Sequence, residues 1–142
     1  MLIEDRLQQT RLSDWYVLRQ QLEKSFDPLN DVVNFFSKLP KAKFYTDPYD
    51  SSRWPTPWEL IDENEYCKFN LILGICYTLQ LTERFKNISP KIKLSIDNFN
   101  KTVYYLLVVD DKIYGYEDEW INAKDLPKSL KTQKIYAMKP LH

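Results

Sequence analysis

"KIKLSIDNFNKTVYYLLVVDDKIYGY", residues 91 to 116, decides the fold of this chain. Its first seven residues alternate, with Ile92, Leu94 and Ile96 on one side and Lys91, Lys93 and Ser95 on the other. That is the period of a strand with one buried face. "TVYYLLVV", 102 to 109, is almost uniformly apolar and β-favouring, which predicts a central strand covered on both faces. "NFNK", 98 to 101, makes the hairpin loop between them, and Asp110-Asp111 is a tight connection to a third strand, "KIYGY", 112 to 116. Tyr104 and Tyr105 are expected on opposite faces of this sheet, and Tyr114 and Tyr116 on the same one. Beyond it, "KDLPKSL", 124 to 130, reads as a short turn of helix, and "TQKIYAM", 132 to 138, as a last strand or an extended tail.

Before Pro90 the apolar period is that of helices. Residues 11 to 25 place Leu12, Trp15, Val17, Leu18 and Leu22 at helical spacing, with Ser13 available as a cap. Asp27 caps a second helix that has Pro28 at its first position. Its buried stripe is Leu29, Val32, Val33, Phe36 and Leu39, and Pro40 ends it. Residues 41 to 54 read as a loop that Phe44, Tyr45 and Tyr49 pin down. Thr56-Pro57-Trp58-Glu59 is a capping box, with Trp54 and Leu60 near the spacing of a hydrophobic staple. Residues 64 to 84 read as the longest helix, apolar on so many sides that it belongs at the centre of the domain. Gly74 inside it costs about 1 kcal/mol relative to alanine, which predicts close packing there, by a strand. The fold class is therefore α+β: N-terminal helices packed on a C-terminal antiparallel sheet of three or four strands, in one domain spanning residues 1–142.

Composition removes several classes of function. Two glycines in 142 residues leave no Gly-rich phosphate loop. Twenty basic residues balance twenty acidic ones, so no nucleic-acid partner is expected. Lys124, Lys128, Lys131 and Lys134 form the strongest basic cluster and read as a solvated face. A net charge of zero also favours an assembled state. The N-terminus lacks a signal-peptide pattern, and the longest apolar-rich stretch, 69 to 81, is too short to span a bilayer, so a cytoplasmic protein without a membrane partner is expected. Cys67 and Cys76, about 13 Å apart on one helix, cannot bridge each other.

The chain's one histidine is its last residue, His142, a poor position for a general base. Carboxylates flank the Trp-Pro turn (Asp47, Asp50, Asp62, Glu63, Glu65) and crowd the second hairpin (Asp110, Asp111, Glu117, Asp118, Glu119). None matches a calcium-loop spacing, and acidic turns have an ordinary hydrogen-bonding role, so no metal and no cofactor is expected.

Cys67 at the start of a central helix, followed by "TVYYLLVVDDKIYGYED", resembles the transglutaminase-like cysteine enzymes over roughly residues 60 to 118. That resemblance puts Thr102 where the family has its histidine and Glu117 where it has its aspartate. Without an imidazole the thiol lacks its activating base, so the resemblance implies a dead relative. "WPTPWELIDENEYCKFNLILGICYTLQLTERF", with "YYLLVVDDKIYGY" and "DLPKSL", is also similar to small uncharacterised proteins of contractile-tailed marine cyanobacterial phages, from about Trp15 to Met138. It implies a viral protein made in a bacterial cytoplasm.

These readings converge on a non-enzymatic interaction or virion-structural protein. A protein partner or a second copy is expected at Tyr49, Trp54 and Trp58, where aromatic anchors on a rigid turn concentrate binding energy, and at the exposed sheet edge. The alternative is a cysteine enzyme working through Cys67. A regulator that binds a host protein is a third reading.

Overall fold

A computed structural model describes residues 3–41, 45–63 and 66–141; Phe44, Glu65 and His142 lie outside the described residues. Four helices come first: α1 (Ile3–Leu22), α2 (Pro28–Ser37), α3 (Pro57–Glu63) and α4 (Lys68–Gln80). Five strands follow: β1 (Lys91–Asp97), β2 (Val103–Val109), β3 (Lys112–Tyr114), β4 (Ile121–Asn122) and β5 (Leu130–Ala137). They form one antiparallel sheet in the order β4-β3-β2-β1-β5, with β2 at the centre. The α+β order holds, with one strand more than the upper expected number. The segment read as a turn of helix near residue 124 is a 3-10 turn, Ala123–Asp125.

The helical layer follows its apolar stripes. Trp15, Leu18 and Leu22 of α1 are buried, and the Trp15 Nε1–H donates to Thr78 Oγ1 of α4 at 2.9 Å. Val17 instead faces solvent, because it lies off that stripe, and Ser13 sits inside α1 where no cap is needed. Asp27 occupies the N-cap of α2 without capping through its side chain; its carboxylate accepts from Asn30 Nδ2 at 2.7 Å. The capping box of α3 forms as expected: the Glu59 N–H donates to Thr56 Oγ1 at 3.3 Å and the Thr56 N–H to Glu59 Oε1 at 3.1 Å.

The expected helix over 64 to 84 is shorter. Tyr66 makes a parallel bridge to Lys41, with its N–H donated to Pro40 O at 3.0 Å, and this extended pairing stops any helix running in from α3. Helix α4 starts only at Lys68 and has 13 residues, against 20 in α1. Gly74 is crowded by helices and not by a strand: a Cβ there would stand 2.5 Å from Phe36 Cε1 of α2 and 3.0 Å from Leu60 Cδ2 of α3.

Ile92, Leu94, Leu107, Val109 and Tyr114 pack with the helices into one core. Alternation in β1 slips where its pairing with β5 shifts register between Leu94 and Ser95. Ser95 and Asp97 are buried as a result, while Ile96 is only half-buried. The tyrosines depart from expectation on β3. Tyr114 pairs with Leu107 and joins the core, whereas the Tyr116 ring lies 5.1 Å from Tyr104 on the other face. Gly115 breaks the alternation with φ 122°; a Cβ there would meet the Tyr105 carbonyl oxygen at 2.0 Å.

Candidate functional site

Cys67 is the N-cap of α4, and its Sγ accepts the Asn70 N–H at 3.4 Å. A cleft of about 750 Å³ opens beside it, lined among others by Tyr45, Asp47, Tyr66, Phe69, Tyr105 and Tyr114. Its wall is built of interlocked rings. Phe69 stands edge-on to Tyr105 at 5.5 Å, and Trp54 packs on Phe69 at 5.0 Å and on Tyr136 at 4.6 Å. Trp54 also donates its Nε1–H to Asp47 O at 3.1 Å, and the Asp47 carboxylate accepts the Tyr49 N–H at 2.9 Å. The loop entering α3 is thereby tied to the cleft wall.

The Tyr105 phenol lines the same cleft as Cys67. Burial first, then the neighbouring Cys67, Tyr49 and Asp47, pushes its ionisation above the ordinary tyrosine value. Burial likewise pushes Tyr66 up to about 12, with Arg11 opposing. Tyr114 is raised by burial and by Asp118. Phenols held neutral in this way donate hydrogen bonds; they do not take a proton from a thiol near neutral pH. The cleft offers aromatic surface, hydroxyl donors, a thiol, the carboxylates of Asp47 and Asp118 and the ammonium groups of Lys41 and Lys68. Cys76 contributes nothing to it: burial pushes its thiol up, and its Sγ–H donates to Gln80 Oε1 at 3.6 Å.

Thr102 and Glu117 are both exposed and line a smaller groove of about 240 Å³. Lys68, Leu71, Tyr105, Tyr114 and Asp118 belong to both hollows, but Cys67 belongs only to the larger one. Thr102 and Glu117 thus line that groove and not the Cys67 cleft. Tyr105 could have been found, since alternation along β2 puts it with Leu107 and Val109 on the face towards α4. Asp47 and Tyr45 carry no such signal, because a loop brings them.

The three expected partner-binding aromatics separate. Trp54 is half-buried and consumed by internal packing. Trp58 remains 53% exposed, with one edge contact to Trp15 at 5.7 Å, and Tyr49 is 56% exposed. Among the described residues, no group of three or more His, Cys, Asp or Glu side chains is placed to hold a metal ion. No helix among them is long and apolar enough to cross a membrane.

No protein-family model matches the sequence, and no curated protein matches it either. Among solved structures, calcium-bound LapG of Legionella pneumophila superposes with a TM-score of 0.66 at 18% identity, over 94% of this chain and 81% of that one. The likeness is one of fold alone.

Proposed function

We propose that this chain is a non-enzymatic protein-interaction module on a scaffold like that of the transglutaminase-like cysteine enzymes, with the cleft at Cys67 seating a partner segment without processing it. The observation that carries this reading is the aromatic lining of the Cys67 cleft, whose Tyr66, Tyr105 and Tyr114 phenols burial holds neutral. An aromatic cleft with a few hydroxyl donors suits an apolar side chain of an extended protein segment. Trp58 and Tyr49 supply further exposed aromatic surface for that partner or for a second copy of the chain. A virion-assembly role in a bacterial cytoplasm, as the phage resemblance implies, is one form of this reading.

The test compares Cys67→Ala with Cys67→Trp. Mass by light scattering behind a sizing column reads self-association, and capture from a bacterial lysate reads other partners. Binding should survive the small residue and be lost when indole fills the cleft, with helix content by circular dichroism unchanged in both. Loss of binding in Cys67→Ala, or cleavage of an unfolded protein substrate that Cys67→Ala abolishes, contradicts the reading. A cysteine enzyme is the second reading, favoured by the place of the Cys67 sulfur at the start of α4 and in the wall of a cleft.

A further inference from the structure

Among the described residues, strand β5 forms one edge of the sheet, paired only with β1. The Met138 N–H donates to Pro90 O at 3.0 Å, which fixes the phase of that ladder. Tyr136 and Lys134, opposite Ile92 and Leu94, turn their main-chain groups to β1. Ile135 and Ala137, opposite Lys93 and Lys91, must turn theirs outward. Past the register slip, the Asn98 N–H donates to Ser129 O at 3.0 Å, which leaves Thr132, opposite Ser95, facing outward as well. Side chains from Lys131 to Ile135 are all exposed. The edge is thus a row of outward N–H and C=O groups along an exposed eight-residue strand.

Its charge is one-sided. From Leu126 to the end the sequence has four lysines (Lys128, Lys131, Lys134 and Lys139) and no acid, in a chain that balances overall. Lys134 is steadied over the Tyr136 ring at 5.2 Å. We propose that the β5 edge takes up an extended acidic protein segment as a sixth strand. Main-chain bonds to Thr132, Ile135 and Ala137 supply affinity, and the lysines supply the choice of partner. A second copy of the same edge is disfavoured, because antiparallel pairing of Thr132 with Ile135 of the other copy sets Lys131 diagonally across from that copy's Lys134. The lysines that blunt self-pairing therefore select for acid. This proposal concerns a different surface from the Cys67 cleft and does not rest on it.

The probes are two fluorescein-labelled nonapeptides of alternating valine and threonine, one carrying three glutamates and the other three lysines, read by fluorescence anisotropy. The glutamate peptide should bind and the lysine peptide should not, with affinity falling as salt rises to about 0.15 M. The double variant Lys131→Gln/Lys134→Gln should weaken binding about tenfold. Ile135→Pro, which removes an outward N–H that the sheet does not use, should weaken it similarly. Hydrogen exchange at Ile135 and Ala137 should slow on binding. Equal affinity for both peptides, or binding by the double variant as tight as by the parent, overturns the proposal. So does unchanged exchange at Ile135 and Ala137, or a single-stranded oligonucleotide displacing the acidic peptide as the preferred ligand.

Discussion

Trp54 rests its ring on Phe69 and Tyr136, while Trp58, four residues on, turns most of its surface to solvent and touches Trp15 only at an edge. Trp54→Ala should therefore lower stability by about 3 kcal/mol in urea unfolding, by loss of buried aromatic packing. Trp58→Ala should cost less than about 1 kcal/mol and show its effect on partner binding instead. The sequence shows two tryptophans on one stiff turn. Which ring the core consumes depends on Tyr136, 82 positions downstream of Trp54, and no local pattern reports that. Glycine makes the same point from the other side. Gly115→Ala should destabilise by about 2 kcal/mol or more, since φ 122° and the Tyr105 carbonyl both oppose a Cβ. Gly74→Ala sets a helix-propensity gain of about 1 kcal/mol against the Phe36 ring at 2.5 Å, and the overlap should win.

At the scale of elements, signals complete within a few residues read correctly. Thr56 and Glu59 announce the start of α3, and Thr56→Ala should cost about 1 kcal/mol in thermal or urea unfolding. The hydrogen bonds from Thr56 hold the Glu59 carboxyl below its ordinary value. Its contribution is present at neutral pH and lost as acid titrates it, so the Thr56→Ala variant should lose less stability on acidification than the parent. Strands β1, β2 and β3 were legible from alternation and the shift to period two after Pro90, and β5 was readable as a strand or tail. Strand β4 has two residues, too few for any period. The interruption before α4 was hidden because "DENEYCKF", 62 to 69, holds no proline or glycine to break the helical reading. Only the remote bridge to Lys41 turns Tyr66 out of the helix. The Cys67 side of the cleft was visible as a helix start, and the Tyr105 side follows from strand alternation. The loop that closes the cleft with Tyr45 and Asp47 was not visible, since it is placed by tertiary contacts such as Trp54 to Asp47.

For the whole molecule, two tyrosines tie helices to loops and set an alkaline limit. Tyr77 donates its hydroxyl to Pro55 O at 2.9 Å, and burial above all pushes both it and Tyr66 up to about 12. Phenols of the unfolded chain ionise near 10, so this contribution is whole below that value and is lost as pH rises from about 10 to about 12. Urea midpoints taken from pH 8 to 11 should fall steeply only above about 10, and less so in Tyr66→Phe. The proposal that most needs testing is that Cys67, in a cleft lined by neutral phenols, is not an activated nucleophile. The most direct test is the rate of Cys67 alkylation by iodoacetamide across pH 5 to 9, followed by mass spectrometry and compared with glutathione under the same conditions. The rate should stay at or below that of glutathione at every pH, with no turnover of an unfolded protein substrate. Alkylation about a hundredfold faster than glutathione near pH 6, abolished together with substrate cleavage in Cys67→Ala, would contradict it and make Cys67 a catalytic nucleophile.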